Sequence, residues 1–250
     1  MRALTLMVLA LMAIPGWAQQ GTETIEPLTV TVGVNHAPPY RIISNGERTG
    51  LYVDIFEEIA ARLGWNVRYR EAPFRRVLRL AEEGQVDIVL GPLRTEDRER
   101  FLEFVAPAFP PERRLFFYQT DTHRIDGYSD LYGRVIGVLD GSSYFPRFDE
   151  DDELMKERAP RYENLMLMME RGRVDVVIAP ELVGKYTVAK LGVSASVSPF
   201  FVPGERSFIA VAKKSNVLAY AADIRAAFKL IEMEGIYEDL VLKYLEIESQ

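Results

Sequence analysis

The sequence has 250 residues, 48% hydrophobic and 27% charged, which is enough to bury the core of one large domain or two small ones. A formal net charge of −7 argues against nucleic acid as a partner, because phosphate backbones bind basic faces. Cysteine is absent and the two histidines, His36 and His123, lie far apart, so we expect no disulfide, no metal site and no cofactor.

Residues 1–18 are typical of a secretory signal peptide. A basic start at Arg2 precedes the apolar run from Ala3 to Ile14, and the small residues Gly16 and Ala18 suit cleavage after Ala18. The alternative is a membrane anchor, but this run is shorter than the ~20 apolar residues that cross a bilayer. We therefore expect a periplasmic protein whose cleavage takes the formal charge from −7 to −8, with a disordered polar segment over residues 19–27.

The chain then alternates strands and helices. Residues 30–34 predict a short β-branched strand, followed by a loop rich in turn residues that reaches Tyr40. An apolar stripe at helical spacing from Val53 to Leu63 predicts a helix that Gly64 ends. Residues 65–69 predict another strand.

A helix–glycine–strand pattern occurs twice, in residues 74–92 (FRRVLRLAEEGQVDIVLGP) and 162–180 (YENLMLMMERGRVDVVIAP). In each copy, apolar residues three and four apart predict a helix, and Gly84 or Gly172 ends it. A β-branched run then predicts a buried parallel strand, which Pro92 or Pro180 stops. Because a strand and a loop precede each copy (residues 135–144 in the second), the sequence predicts two α/β units of one architecture.

Two apolar segments flank the second unit. Residues 115–118 precede it and residues 208–212 follow it, and if both cross between the units they form a two-strand hinge. We therefore assign residues 28–118 and 208–250 to a first lobe and residues 119–207 to a second. Apolar stripes predict two C-terminal helices, at about residues 217–234 and 236–245.

The order and spacing of these pieces resemble the family 3 extracellular solute-binding proteins, the periplasmic receptors of polar amino-acid ABC importers. The resemblance covers about residues 28–245. It depends on segments that are specific only together: VGV at 32–34, APPY at 37–40, GLYVDI at 50–55, GQVD at 84–87, RTEDR at 94–98, DLYGRVIGV at 130–138, GSSY at 141–144, GRVD at 172–175 and EGIY at 234–237.

The resemblance implies an α/β, two-lobed fold of the periplasmic-binding-protein-like type (type II). Each lobe would hold a mostly parallel sheet with flanking helices, and two hinge strands would let the lobes close over a ligand. It implies a monomer that is not an enzyme. That monomer would capture a small polar, carboxylate-bearing ligand, an amino acid or similar, for delivery to an inner-membrane ABC permease.

Ligands of open parallel sheets gather at the carboxyl ends of the strands, here the loops at 35–40, 91–98, 140–144 and 179–182. In the family, an arginine that closes a Thr-x-x-Arg run grips the ligand's α-carboxylate, and Thr95 to Arg98 match that run. A guanidinium suits a carboxylate because it donates two parallel hydrogen bonds. Arg94 is a further candidate. For both arginines the alternative is a solvated side chain paired with nearby carboxylates.

The other loops add further ligand-binding candidates. The family places an aromatic residue against the ligand near His36 and Tyr40, where the alternative is packing around two prolines. Ser142 and Ser143 lie where the family uses Ser or Thr near a helix N-terminus, and the alternative there is N-capping. Aromatic residues that would wall the cleft, unless they belong to the core, are Phe74, Tyr144, Phe200 and Phe201.

One position departs from the family. Where typical amino-acid receptors carry an aspartate that pairs with the α-ammonium, this chain has Pro180, followed by Glu181. Either Glu181 substitutes for that aspartate or the ligand lacks an α-amine, because a buried ammonium without a counter-charge is costly.

Two other functions fit the same fold. Some dehydratases acting on prephenate-like substrates share it, and Glu181 and His36 are the residues that such an enzyme would use as acid and base. A free-standing ligand-sensing module is the second alternative.

Overall fold

The computed structural model describes residues 26–246. The predicted signal peptide and almost all of the polar segment after it lie outside this range. Among the described residues, no helix is both long and apolar enough to cross a membrane.

The first lobe is built around a mixed β-sheet. Its strands are β1 (Thr29–Val34), β4 (Asn66–Glu71), β5 (Ile88–Leu93), β6 (Leu102–Phe109) and β12 (Ser207–Ala212), and its hairpin strands are β2 (Ile42–Ser44) and β3 (Glu47–Thr49). Its helices are α1 (Leu51–Leu63), α2 (Phe74–Glu82), α3 (Glu96–Glu99), α7 (Ala221–Met233) and α8 (Ile236–Glu246). The strand order of the main sheet is β4-β1-β5-β12-β6.

The second lobe has a sheet of its own. Its strands are β7 (Arg114–Tyr118), β8 (Val135–Leu139), β9 (Met155–Ala159), β10 (Val176–Pro180) and β11 (Ser196–Val202), and its helices are α4 (Pro146–Asp149), α5 (Tyr162–Glu170) and α6 (Glu181–Leu191). The strand order is β9-β8-β10-β7-β11, which matches the first sheet position by position.

The two sheets share one pattern of strand directions. Among the described strands, four in each sheet run the same way and one is reversed: β12 in the first sheet and β7 in the second. Each reversed strand lies beside the strand of the repeated motif, β5 or β10. The two-lobed α/β fold predicted from the repeat is confirmed, and so are the left-handed glycines that follow its two helices, Gly84 (φ 73°) and Gly172 (φ 65°).

The strand pairing assigns β7 to the second lobe, although the expected boundary at residue 118 places it in the first. Every residue of β7 is buried, and β7 pairs with β10 and β11 inside the second sheet. An apolar strand buried in this way needs partners on both edges for its backbone groups, so it is part of the second lobe. The chain crosses between the sheets at residues 110–113 and 203–206, just before each reversed strand.

Two elements differ locally from their prediction. β5 continues through Pro92 to Leu93, because the pairing of β12 with β5 is irregular between Ser207 and Ile209 and a proline at a bulge loses no ladder hydrogen bond. The first C-terminal helix begins later than predicted, since a 3-10 turn over Asn216–Tyr220 precedes α7.

Apolar packing continues from one lobe into the other. A single cluster of buried residues includes Tyr40 and Leu90 of the first lobe together with Leu139, Tyr162 and Leu182 of the second. The lobes therefore lie in contact, as in a closed cleft.

Candidate functional site

A cavity lies between the lobes, where the carboxyl ends of β1, β5, β8 and β10 meet. Its volume is about 70 Å³, and residues of both lobes and of the crossing segments line it. Of the predicted ligand-binding residues, the structure brings six to its wall: Tyr40, Phe74, Arg98, Ser142, Ser143 and Tyr144.

Arg98 joins the two lobes across this cavity. It is 5% exposed, its Nη1 donates to the carbonyl oxygen of Leu93 (2.9 Å), and its Nη2 donates to the carbonyl oxygen of Gly141 in the second lobe (3.0 Å). Its guanidinium lies over the ring of Phe74, 5.6 Å from the ring centroid. Burial lowers the pKa of Arg98 to about 10, so the side chain is a cation at neutral pH.

Thr95 and Arg94 lie outside the cavity lining. The Thr95 hydroxyl accepts a hydrogen bond from the backbone N–H of Arg98 (3.4 Å), which makes Thr95 the N-cap of α3. The Arg94 side chain is 62% exposed and pairs with Glu99. Thr95 therefore positions the helical turn that carries Arg98, while Arg94 faces solvent.

His36 and Glu181 are also held by protein partners rather than directed into the cavity. His36 is buried in a separate depression, where its Nδ1 accepts the N–H of Ile43 (3.0 Å) and its Nε2 lies 3.1 Å from Oε1 of Glu163. The Glu181 carboxylate accepts hydrogen bonds from Arg113 (2.7 Å to Nε) and Lys185 (2.8 Å). The hydrogen bond from Arg113, with Lys185, lowers the pKa of Glu181 to about 2 although burial opposes that shift.

The serines differ from the N-capping alternative, and two of the aromatic candidates do not reach the cavity. Helix α4 has Phe145 at its N-cap position, so neither Ser142 nor Ser143 caps it, and both face the cavity instead. Phe200 stacks on Phe116 (5.5 Å between centroids) inside the second lobe, and Phe201 is exposed near Arg113. Neither phenylalanine is part of the cavity wall.

The cavity has charged residues that the sequence reasoning missed. Arg41 and Arg114 are buried in its wall, with the carboxylate of Glu112 beside Arg114 (3.9 Å). Glu112 and Arg114 stand at the point where the chain enters the second lobe. Their signal in the sequence is the charged run from Glu112 to Arg114, directly before the apolar residues 115–118, where the chain crosses the cleft.

Tyrosine hydroxyls surround these charges. Tyr40 and Tyr52 stack with 4.5 Å between ring centroids, and the Tyr52 hydroxyl lies 2.8 Å from Oγ of Ser207. Burial raises the pKa of Tyr40, Tyr52, Tyr144 and Tyr162 above the usual value, so all four hydroxyls keep their protons at neutral pH. The wall is therefore rich in donors and cations, which suits an anionic ligand.

The family model of the bacterial extracellular solute-binding proteins, family 3, matches residues 30–247. A probable histidine-binding protein of Campylobacter jejuni is 22% identical over 235 residues, covering 86% of this chain and 85% of that protein. The histidine-binding periplasmic protein of Escherichia coli K12 is also 22% identical, covering 89% of both chains. Among solved structures, a mutant of ArgBP from T. maritima has a TM-score of 0.78 at 24% identity, covering 87% of this chain and 95% of that one.

Proposed function

The chain belongs to family 3 of the bacterial extracellular solute-binding proteins, and we propose that it captures a small polar, carboxylate-bearing ligand between its lobes for delivery to an inner-membrane ABC permease. The proposal includes a periplasmic location after removal of residues 1–18, and a role in binding rather than in catalysis.

The observation that carries this proposal is the position of Arg98. Its guanidinium is buried at the cleft and bonds to a carbonyl oxygen of each lobe, at Leu93 and Gly141. A guanidinium has five N–H donors, so these two hydrogen bonds leave N–H groups for a carboxylate. A ligand held there would touch both lobes and so favour the closed state.

The residues that we assign to ligand binding are those at the cavity wall. Arg98 binds the carboxylate, and the hydroxyl groups of Ser142 and Ser143 donate hydrogen bonds from the second lobe. Tyr40 and Phe74 supply aromatic surface. The relatives named for histidine binding support an amino-acid-like ligand, although Pro180 stands where the family's aspartate pairs with an α-ammonium.

The test is ligand-induced stabilisation without turnover. The protein purified from the periplasmic fraction of an expressing bacterium is heated with amino acids, mono- and dicarboxylates and amines in turn, since a ligand that prefers the folded state raises the Tm. Mass spectrometry of the mixtures after incubation would reveal product if the chain were a dehydratase-like enzyme. A panel in which no carboxylate raises the Tm would refute the proposal. The intact mass of the purified chain tests cleavage after Ala18.

A further inference from the structure

We propose that the ligand is a dicarboxylate without an ammonium group, with one carboxylate at Arg98 and the other at a second anion site formed by Arg41 and Arg114. This inference rests on the proposed function, and it specifies the ligand class of the same cleft.

The charge of the buried cavity wall is positive. Arg41, Arg98 and Arg114 are 7%, 5% and 5% exposed, and all three line the cavity. Within the described part of the chain, the lining carboxylates are Glu112, whose side chain is 10% exposed, and Glu205, which is exposed. A zwitterion adds no net charge to this wall, whereas a dianion neutralises the excess of buried guanidinium over carboxylate.

Arg41 is a buried cation whose partners among residues 26–246 are neutral groups. Its Nη1 donates to the carbonyl oxygen of Leu90 (2.8 Å) and its Nε to that of Asn35 (3.4 Å), and its guanidinium lies 5.3 Å from the centroid of the Tyr52 ring. Across residues 26–246, no carboxylate lies within 4.0 Å of Arg41 or of Arg98. Buried charges are normally paired, so these two arginines are expected to receive their counter-charge from the ligand.

Glu112 is not available to balance a ligand ammonium. Its carboxylate already accepts hydrogen bonds from the Tyr40 hydroxyl and from the backbone N–H of Leu182, and it lies 3.9 Å from Arg114. Burial raises its pKa, although the hydrogen bonds from Tyr40 and Leu182 and the charge of Arg114 oppose that shift. Pro180 also lines the cavity, and it stands at the position where the family carries the aspartate that pairs with a ligand ammonium.

The guanidinium groups of the two proposed anion sites lie close to one aromatic ring, that of Phe74. The guanidinium carbon of Arg98 lies 5.6 Å from the centroid of Phe74, and that of Arg41 lies 6.0 Å from the same centroid. A short chain of apolar carbons against Phe74 would place one carboxylate at each guanidinium. Gly91 lets Arg41 sit there, because a Cβ at residue 91 would lie 2.2 Å from Nη1 of Arg41.

The experiment compares ligands that differ by one group. Calorimetry of the wild-type protein is run with succinate and glutarate, with their monocarboxylate counterparts butyrate and valerate, and with the amino-bearing aspartate and glutamate. We expect each dicarboxylate to bind at least ~10-fold more tightly than its counterparts, which corresponds to ~1.4 kcal/mol for one lost charged contact. Tighter binding of the amino acids, with weak dicarboxylate binding, would overturn this inference and leave the proposed function intact. Failure of every carboxylate to bind would overturn both.

Variants locate the second anion site. Arg41→Met removes the charge while keeping a long apolar stem. We expect it to lower the dicarboxylate affinity ~10-fold or more and to leave the affinity for the monocarboxylates within about twofold. Arg41→Lys, which keeps a cation, should recover part of the dicarboxylate preference, and circular dichroism checks that both variants fold. If the folded Arg41→Met protein loses the same affinity for monocarboxylates as for dicarboxylates, the assignment of Arg41 to the second anion site is wrong. The wild-type ligand series tests the ligand class even if that variant does not fold.

Discussion

Nε2 of His36 in the first lobe lies 3.1 Å from Oε1 of Glu163 on helix α5 of the second lobe. Because Nδ1 of His36 accepts the N–H of Ile43, the hydrogen of a neutral imidazole is on Nε2, and this N–H donates a hydrogen bond to the Glu163 carboxylate. Burial by itself would raise the pKa of Glu163, but the hydrogen bond from His36, with the charge of Lys190, lowers it. The pair is thus a polar contact between the lobes outside the cavity.

Loss of this contact should weaken the closed state. We expect Glu163→Ala to lower the free energy of unfolding by ~1 kcal/mol in urea denaturation at pH 7, the usual value of one such hydrogen bond. Glu163→Gln keeps an acceptor for Nε2 and should lose less. The same stability in the alanine variant and in the wild type would show that the contact contributes nothing.

Arg98→Ala should abolish ligand-induced stabilisation while the protein stays folded. The reason is that the buried Arg98 guanidinium, which donates hydrogen bonds to both lobes, is the group that we assign to the ligand carboxylate. The measurement is the rise in Tm with saturating ligand, which should fall to about zero. Arg94→Ala is the matched control, since Arg94 lies four residues earlier with its side chain 62% exposed. A wild-type response from Arg98→Ala would exclude the carboxylate assignment.

Gly91→Ala should both destabilise the fold and impair ligand binding. Gly91 has φ 82°, and an added Cβ would lie 2.2 Å from Nη1 of Arg41 and 2.5 Å from the Tyr52 ring. Gly46→Ala is a close control, because Gly46 has φ 83° with nothing within 4 Å of the added Cβ. We expect backbone strain to lower the free energy of unfolding of each variant by ~1 kcal/mol. In Gly91→Ala, overpacking should lower it by ~1–3 kcal/mol more, as measured by chemical denaturation. Equal losses would mean that the close approach at Arg41 is unimportant.

Pro180→Asp should shift the ligand preference toward zwitterions. Residue 180 lines the cavity and is the N-cap of α6, a position where aspartate is favourable, so the variant should fold. The new carboxylate would compete with an anionic ligand for Arg114 and would pair with an α-ammonium. We expect the ratio of glutarate affinity to glutamate affinity to fall at least ~5-fold, measured by calorimetry. An unchanged ratio would count against a ligand bound beside residue 180.

The ion pair of Glu181 should make stability depend on pH in the acid range. The hydrogen bond from Arg113, with Lys185, holds the pKa of Glu181 at about 2, below its ordinary value of 4.5. A carboxyl with a lowered pKa stabilises the fold above its ordinary pKa, and that contribution is lost as the pH falls from 4.5 toward 2. Glu181→Gln should therefore have a free energy of unfolding ~1 kcal/mol lower than the wild type at pH 7. Between pH 5 and pH 3, its free energy of unfolding should decline less steeply than that of the wild type.

Arg113→Gln is the companion variant for this prediction. It removes the partner that lowers the pKa of Glu181 most, so its acid decline should also be shallower. A decline as steep as that of the wild type in both variants would contradict the role of this pair.

The sequence by itself determined the architecture. Helix periodicity, a terminating glycine and a β-branched strand are local signals, and their repetition at residues 74–92 and 162–180 predicted the two lobes that the strand orders confirm. The resemblance to the family also predicted Arg98 and the Ser142–Tyr144 loop as ligand-binding candidates, and both follow strands whose carboxyl ends face the cleft.

Only the tertiary structure decided which charges face the cavity. Arg41 and Glu112 belong to connections and Arg114 is the first residue of β7, and all three line the cavity because the chain crosses between the lobes beside the ends of β1 and β5. Glu181 follows the same strand as Pro180, yet Arg113 and Lys185 hold it outside the cavity. The direction and partners of a long charged side chain depend on residues distant in sequence, and no single segment contains that information.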